Sequence, residues 1–149
     1  MAKTPTGITI GIKEIKLLNY ESTTRIQEIK KQLPNDAYEF QFDLQWNAVD
    51  TEKLFNSIIS VTLYEKQSIE TKVELASMKV LISFVVINYD EVIRKENGLT
   101  LIPDQLISVT AGIVVSTVRG MFALNIKDSI ISNAIIPIIN PQVFIPKKA

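Results

Sequence analysis

Apolar and polar residues alternate with a period of two along much of the chain up to Tyr89. The clearest run sets Tyr38, Phe40, Phe42, Leu44 and Trp46 on one parity against Glu39, Gln41, Asp43, Gln45 and Asn47 on the other. Successive side chains of a strand point to opposite faces, so this run predicts a half-buried antiparallel strand. Phe55 to Tyr64 and Lys72 to Tyr89 read as two more strands, the second long enough to bend, because β-branched and aromatic residues concentrate there. Lys66 to Glu70 supplies a polar turn between them. Near the N-terminus Ile8, Ile10 and Ile12 alternate with Thr9, Gly11 and Lys13, but Ile15 and Leu17 carry the apolar phase onto the other parity. A single extra residue flips every later side chain, so a bulge is expected there. From Asn19 to Asp36 the alternation stops. Ile26, Ile29 and Leu33 have helical spacing, and Pro34-Asn35-Asp36 ends a segment expected as a loop or short helix.

After the turn signal Glu96-Asn97-Gly98 the period lengthens. Pro103 and Asp104 suit a first helical turn, and Leu106, Val109, Ile113, Val114, Thr117 and Met121 follow at three-to-four spacing, which predicts a helix of roughly five turns. Val115 and Val118 populate its opposite side, and Ala111 and Gly112 permit close approach, so it is expected to be covered on more than one face. Ile130 to Ile145 holds Pro137 and Pro141 and is expected to be extended. The expected architecture is α+β, a single domain over residues 1–149: a four-stranded antiparallel sheet, one long helix packed on it, and an extended proline-rich C-terminal segment.

Charge sharpens this picture. The 149 residues carry 16 basic and 16 acidic side chains, giving a net charge of zero. From Leu101 onward the only charged residues are Asp104, Arg119, Lys127, Asp128, Lys147 and Lys148. A third of the chain so poor in charge, with a mean hydropathy of +0.18 overall, is expected to be buried in its own core, in an oligomer or against a partner. Nucleic acid is not an expected partner, because clustered Lys and Arg are needed to neutralise phosphates. A membrane span is not expected either. Leu106 to Val118 is short and ends at Arg119, and Ser129 to Pro146 contains three prolines, two asparagines and a glutamine. With no cysteine and no leader-like N-terminus, a cytoplasmic location is expected.

Chemistry is limited. The chain has neither histidine nor cysteine, which excludes disulfides, thiolate zinc sites, thiol nucleophiles and imidazole acid/base work. Its five glycines form no phosphate-cradling loop, so no cofactor and no ATP-driven step is expected. Asp43, Asp50 and Glu52 could in principle serve as general acid and base, but they fall on a polar strand face and at a hairpin turn, where solvated acids are ordinary. Asp90 and Glu91 offer nothing better, and the chain is not expected to be an enzyme. Lys79, within an apolar strand, is expected to guard an exposed sheet edge.

Two segments resemble the SecB-like family of preprotein-export chaperones: Ser116-Thr117-Val118-Arg119-Gly120-Met121-Phe122 in the helix, and Ala134-Ile135-Ile136-Pro137-Ile138-Ile139-Asn140-Pro141-Gln142-Val143-Phe144 after it. The resemblance implies a four-stranded sheet with helices on one side, assembled as a dimer of dimers, that holds unfolded polypeptides or preproteins in apolar grooves without ATP and hands them to SecA. On local grounds alone Arg119-Gly120 could instead end the helix, and the proline-rich segment could be a strap over the core. By chemistry, the residues nominated for peptide binding are Tyr38, Phe40, Phe42 and Trp46 from the aromatic strand, Met121 and Phe122 from the helix, and Pro137 and Phe144 from the strap. The same aromatic face could equally be core beneath the helix. After Phe144 only Ile145-Pro146-Lys147-Lys148-Ala149 follow, where SecB continues into another helix and an acidic tail. A chaperone dedicated to one partner, such as an antitoxin, is therefore the second reading, and a small-ligand protein built on the curved sheet is a third.

Overall fold

A computed structural model of the chain describes residues 7–147. Lys148 and the chain ends that bear on the leader and tail expectations lie outside the described residues. Strands β1 (Ile10–Ser22), β2 (Tyr38–Val49), β3 (Leu54–Lys66) and β4 (Lys72–Val86) form one antiparallel sheet in the order β1-β4-β3-β2. A second, two-stranded sheet pairs β5 (Arg94–Glu96) with β6 (Leu99–Leu101). Helix α1 (Arg25–Glu28) follows β1, α2 (Tyr89–Val92) follows β4, and the long α3 (Asp104–Ile126) lies on the sheet.

Registers explain which face is buried. Tyr38, Phe40, Phe42, Leu44 and Trp46 stand opposite Glu65, Leu63, Val61, Ile59 and Ser57, and Val61, Ile59 and Leu63 are fully buried. Met78, Val80, Ile82, Phe84 and Val86 continue that layer on β4. Helix α3 covers it with Leu106, Val114, Val118, Phe122 and Ile126. By length and composition α3 could also cross a membrane, a test that the core helix of a folded domain passes as well, and here its apolar stripe is buried on the sheet.

The phase flip in β1 is a bulge between Ile12 and Glu14, as expected, and a second register shift falls between Leu17 and Asn19. Asn19 to Ser22 belong to the strand rather than to the following loop, where α1 and a 3₁₀ turn (Asn35–Ala37) supply the short helical pieces. Strand β4 stops at Val86, so Tyr89 lies in α2 and not in the strand. Lys79 is exposed, but β4 lies between β1 and β3; it stands on the outer face of an interior strand and guards no edge. Asn97 and Gly98 have φ of +52° and +76°, and two successive positive values make the tight turn of the β5–β6 hairpin. Arg119-Gly120 does not end α3. The helix runs on to Ile126, because Phe122 and Ile126 are buried in the core beyond it, which outweighs the ~1 kcal/mol a mid-helix glycine costs. Ile130 to Asn133, expected to be extended, are turn residues; Ala134 to Asn140 carry no regular secondary structure, and a 3₁₀ turn (Pro141–Phe144) closes the strap.

Candidate functional site

The two motifs noticed in the sequence meet in space. Arg119 Nε donates to the carbonyl of Ile136 at 2.9 Å and Nη2 to that of Pro137 at 3.0 Å, so the helix arginine holds the middle of the strap. The start of the strap is held by Asn133, which accepts from the Tyr38 hydroxyl at 2.7 Å and donates to the Leu33 carbonyl at 2.7 Å and to Asn35 Oδ1 at 2.9 Å. Near its end, Pro141 packs where a side chain on Gly112 would stand, 3.4 Å from that Cβ position. Along the strap Ala134 and Ile136 are buried, whereas Ile135 and Ile138 are exposed.

Between the strap and the start of β2 lies an open groove of about 440 Å³ lined by Asn35, Tyr38, Glu39, Phe40, Asn133, Ile135 and Pro137. Glu65, opposite Tyr38 in the register, is buried and takes a bidentate ion pair from Arg25 at 2.7 and 3.0 Å. That hydrogen-bonded guanidinium holds the Glu65 carboxyl below the usual carboxylate range, and burial, with Glu65 second, pushes the Tyr38 hydroxyl up. Glu39 on the rim is held below its ordinary value chiefly by the Lys72 ammonium 2.9 Å away.

Of the eight residues nominated from the sequence, Tyr38, Phe40 and Pro137 line this groove together. Phe42 stacks beside Phe40 at 6.4 Å and packs with Trp46 and Phe144 against the core. Trp46 is eight positions beyond Tyr38, about 26 Å of extended chain, and so lies far along β2. Phe122 is 1% exposed, with the rings of Phe40 at 5.7 Å and Tyr20 at 6.3 Å set edge-on to it, and belongs to the core beneath the groove. Met121 is half-buried and, two positions along the helix from Arg119, points about 160° away from the strap side. The sequence does not single out Asn35, Asn133, Ile135 or the clamp role of Arg119: Arg119 stands in a motif, but its carbonyl partners are set by tertiary structure.

A second concavity of about 570 Å³ is lined by Asp50, Tyr89, Asp90, Ile93, Arg94 and Lys95. Tyr89 donates to Asp50 Oδ1 at 2.5 Å, Lys95 pairs with the other Asp50 oxygen, and Lys53 pairs with Asp90 at 2.7 Å. Lys95 first and Tyr89 second hold the Asp50 carboxyl below its ordinary value, so it is an ionised tether between the β2–β3 turn and the β5–β6 hairpin. Among the described residues no group of three or more acidic side chains is placed to hold a metal ion.

No protein-family model and no curated protein matches the chain. Among solved structures, it is similar to the Mycobacterium tuberculosis Rv1957 SecB-like chaperone in complex with a ChAD peptide from the Rv1956 HigA1 antitoxin, with a TM-score of 0.57 and 14% identity over 87% of this chain and 90% of that one. A Streptococcus agalactiae protein of unknown function aligns at a TM-score of 0.40 and 9% identity over 82% of this chain and 90% of that one, too weak a likeness to carry an argument. With its four-stranded antiparallel sheet, single long helix and strap, the chain has a SecB-like fold.

Proposed function

We propose that the chain is a chaperone that binds an extended, non-native stretch of another polypeptide in the groove between β2 and the strap, without nucleotide and without catalysing a reaction. The observation that carries this reading is an open groove with apolar walls at Phe40, Ile135 and Pro137, set beside an uncovered sheet edge in a SecB-like fold. Apolar burial is non-directional and yields about 25 cal/mol per Å², which suits capture of a chain with no fixed shape. Absence of histidine and cysteine from the whole sequence and the use of the ionised Asp50 as an ion-paired tether agree with a binding role, and the cysteine-free composition with work in the cytoplasm.

Within this role, a dedicated partner is favoured over a general holdase for export with hand-over to SecA, because the similar Rv1957 chaperone is seen with a peptide from one antitoxin. Self-association into a dimer or a dimer of dimers is supported by Ile12, Ile15 and Leu17, which lie on the helix side of β1 yet stay 41–50% exposed, and by the exposed Val109 and Leu124 of α3. Light scattering of the full chain, alone and after dilution of an unfolded slow-folding polypeptide into it, tests both points, with the folded polypeptide as control. Uptake of the unfolded form only supports a general holdase. Failure with such clients, together with tight binding of one polypeptide co-purified from the native host, supports the dedicated reading.

A further inference from the structure

All six strand residues of the β5–β6 hairpin are exposed. A two-stranded hairpin is marginal in water unless one of its faces is packed, and neither face is buried here. The two faces nonetheless differ. Directly opposed residues of an antiparallel pair share a face, and the register sets Arg94 opposite Leu101, Lys95 opposite Thr100 and Glu96 opposite Leu99. One face therefore carries Lys95 and Thr100, and the other Arg94, Glu96, Leu99 and Leu101.

The Lys95 face is moored to the body of the chain. Its ammonium pairs with Asp50, which also accepts from the Tyr89 hydroxyl, so this face is turned toward the β2–β3 turn. The opposite face is left outward, with Leu99 66% and Leu101 42% exposed. Neither Arg94 nor Glu96 forms an ion pair among the described residues.

The order of these four residues makes the outward face self-complementary. Arg94 lies at the base of β5 and Glu96 beside the turn, while Leu101 lies at the base of β6 and Leu99 beside the turn. When a second hairpin is laid face to face across a two-fold axis perpendicular to the strands, β5 meets its copy in the reverse direction. Each Arg94 then stands over Glu96 of the partner subunit, and each Leu99 over Leu101 of the partner subunit. Every contact is made twice, as an isologous interface requires.

Resting on the self-association reading above, we infer that the outward face of the β5–β6 hairpin is an interaction surface for the same hairpin of a second copy of this chain. Four residues a side fall well short of the roughly 20–30 of a standard interface. The hairpin contact therefore joins pairs already held through β1 and α3, and it is the first to dissociate on dilution.

The test is sedimentation velocity of the full chain over a range of concentrations at low salt. Arg94→Glu makes the charge of this face wholly acidic and Glu96→Arg makes it wholly basic. Each alone is expected to weaken the dilution-sensitive step by about tenfold, with the loss shrinking as salt rises. An equimolar mixture of the two variants again sets opposite charges face to face, and is expected to recover the parent affinity within about threefold, as is the double variant, in which both pairs are reversed. Leu99→Ser is expected to weaken the same step, with an unchanged urea midpoint at a dilution where that step is already complete. Single variants that assemble like the parent overturn the inference. So do variants that both weaken assembly but do not recover on mixing, an outcome that assigns the hairpin face to a different protein. A dimer that Leu17→Lys dissociates and that never grows further overturns the hairpin contact alone, whereas a chain that is monomeric at every concentration overturns the self-association reading with it.

Discussion

Phe122 separates a core role from a groove role more sharply than any other residue. It is 1% exposed and meets the rings of Phe40 and Tyr20 edge-on, at 5.7 and 6.3 Å. Phe122→Ala removes a buried ring between α3 and both edge strands of the sheet, and such a deletion costs about 3–5 kcal/mol when the surroundings collapse only partly. The two edge-on contacts place this site toward the upper part of that range. With a urea slope of about 2 kcal/mol per molar, the midpoint should fall by about 2 M. Trp46 is the only tryptophan and packs against the same core, so its fluorescence reports the transition. Protomer concentration must be held constant, because self-association adds to apparent stability. Peptide affinity measured well below the midpoint should change by less than about threefold. A midpoint moved by less than about 0.5 M together with lost peptide binding would refute the assignment and return Phe122 to the groove wall.

Four further outcomes are expected. Arg119→Met keeps the apolar stem but removes both strap hydrogen bonds, so protease should cut within Ile135 to Ile139 faster than in the parent; Arg119→Lys should restore only part of the protection, since an ammonium cannot hold both carbonyls in a planar fork. Arg25→Ala leaves the buried Glu65 carboxylate without its guanidinium and should lower the midpoint of a denaturant titration at neutral pH. The folded-state value of Glu65 lies below its ordinary 4.5, so its contribution is complete above that pH and lost as pH falls through the lower folded value; Glu65→Gln should flatten the acid limb of stability against pH. Leu17→Lys, at an exposed position on β1, should lower the assembly mass seen by light scattering with little change in monomer stability, and an unchanged mass would remove β1 from the contact.

What could be read from residue order alone was the part governed by local periodicity. The clean alternation from Tyr38 to Asn47 reflects one face on the core and one in water, and the parity change between Ile12 and Ile15 disclosed the first bulge. The second shift, at Leu17 and Asn19, left no mark, because Leu17 and Leu18 are both apolar. That Lys79 sits on an interior strand is not legible locally, because strand order is not a local property: β1 pairs with β4 across the whole β2–β3 hairpin. Arg119-Gly120 has the look of a helix end, yet the buried Phe122 and Ile126 carry α3 past it. In the groove, the aromatic wall was legible from Tyr38 and Phe40 and the strap from Pro137. Asn133 and Arg119 act through carbonyls and hydroxyls far away in sequence, and no spacing rule reveals such partners.

The strand order also dictates a sequence of events. Ile10 pairs with Val86, so β1 is synthesised first but has no partner until β4 has emerged, several seconds later at about 5–20 residues per second. The β2–β3–β4 meander can close through neighbouring strands meanwhile, with the inner side of β4 open as an edge. Docking of β1 and then of the strap, whose Asn133 reaches back to Leu33, are the high-contact-order steps that slow folding of such topologies. During that interval the chain exposes two open strand edges, and so passes through a state resembling the clients proposed for it.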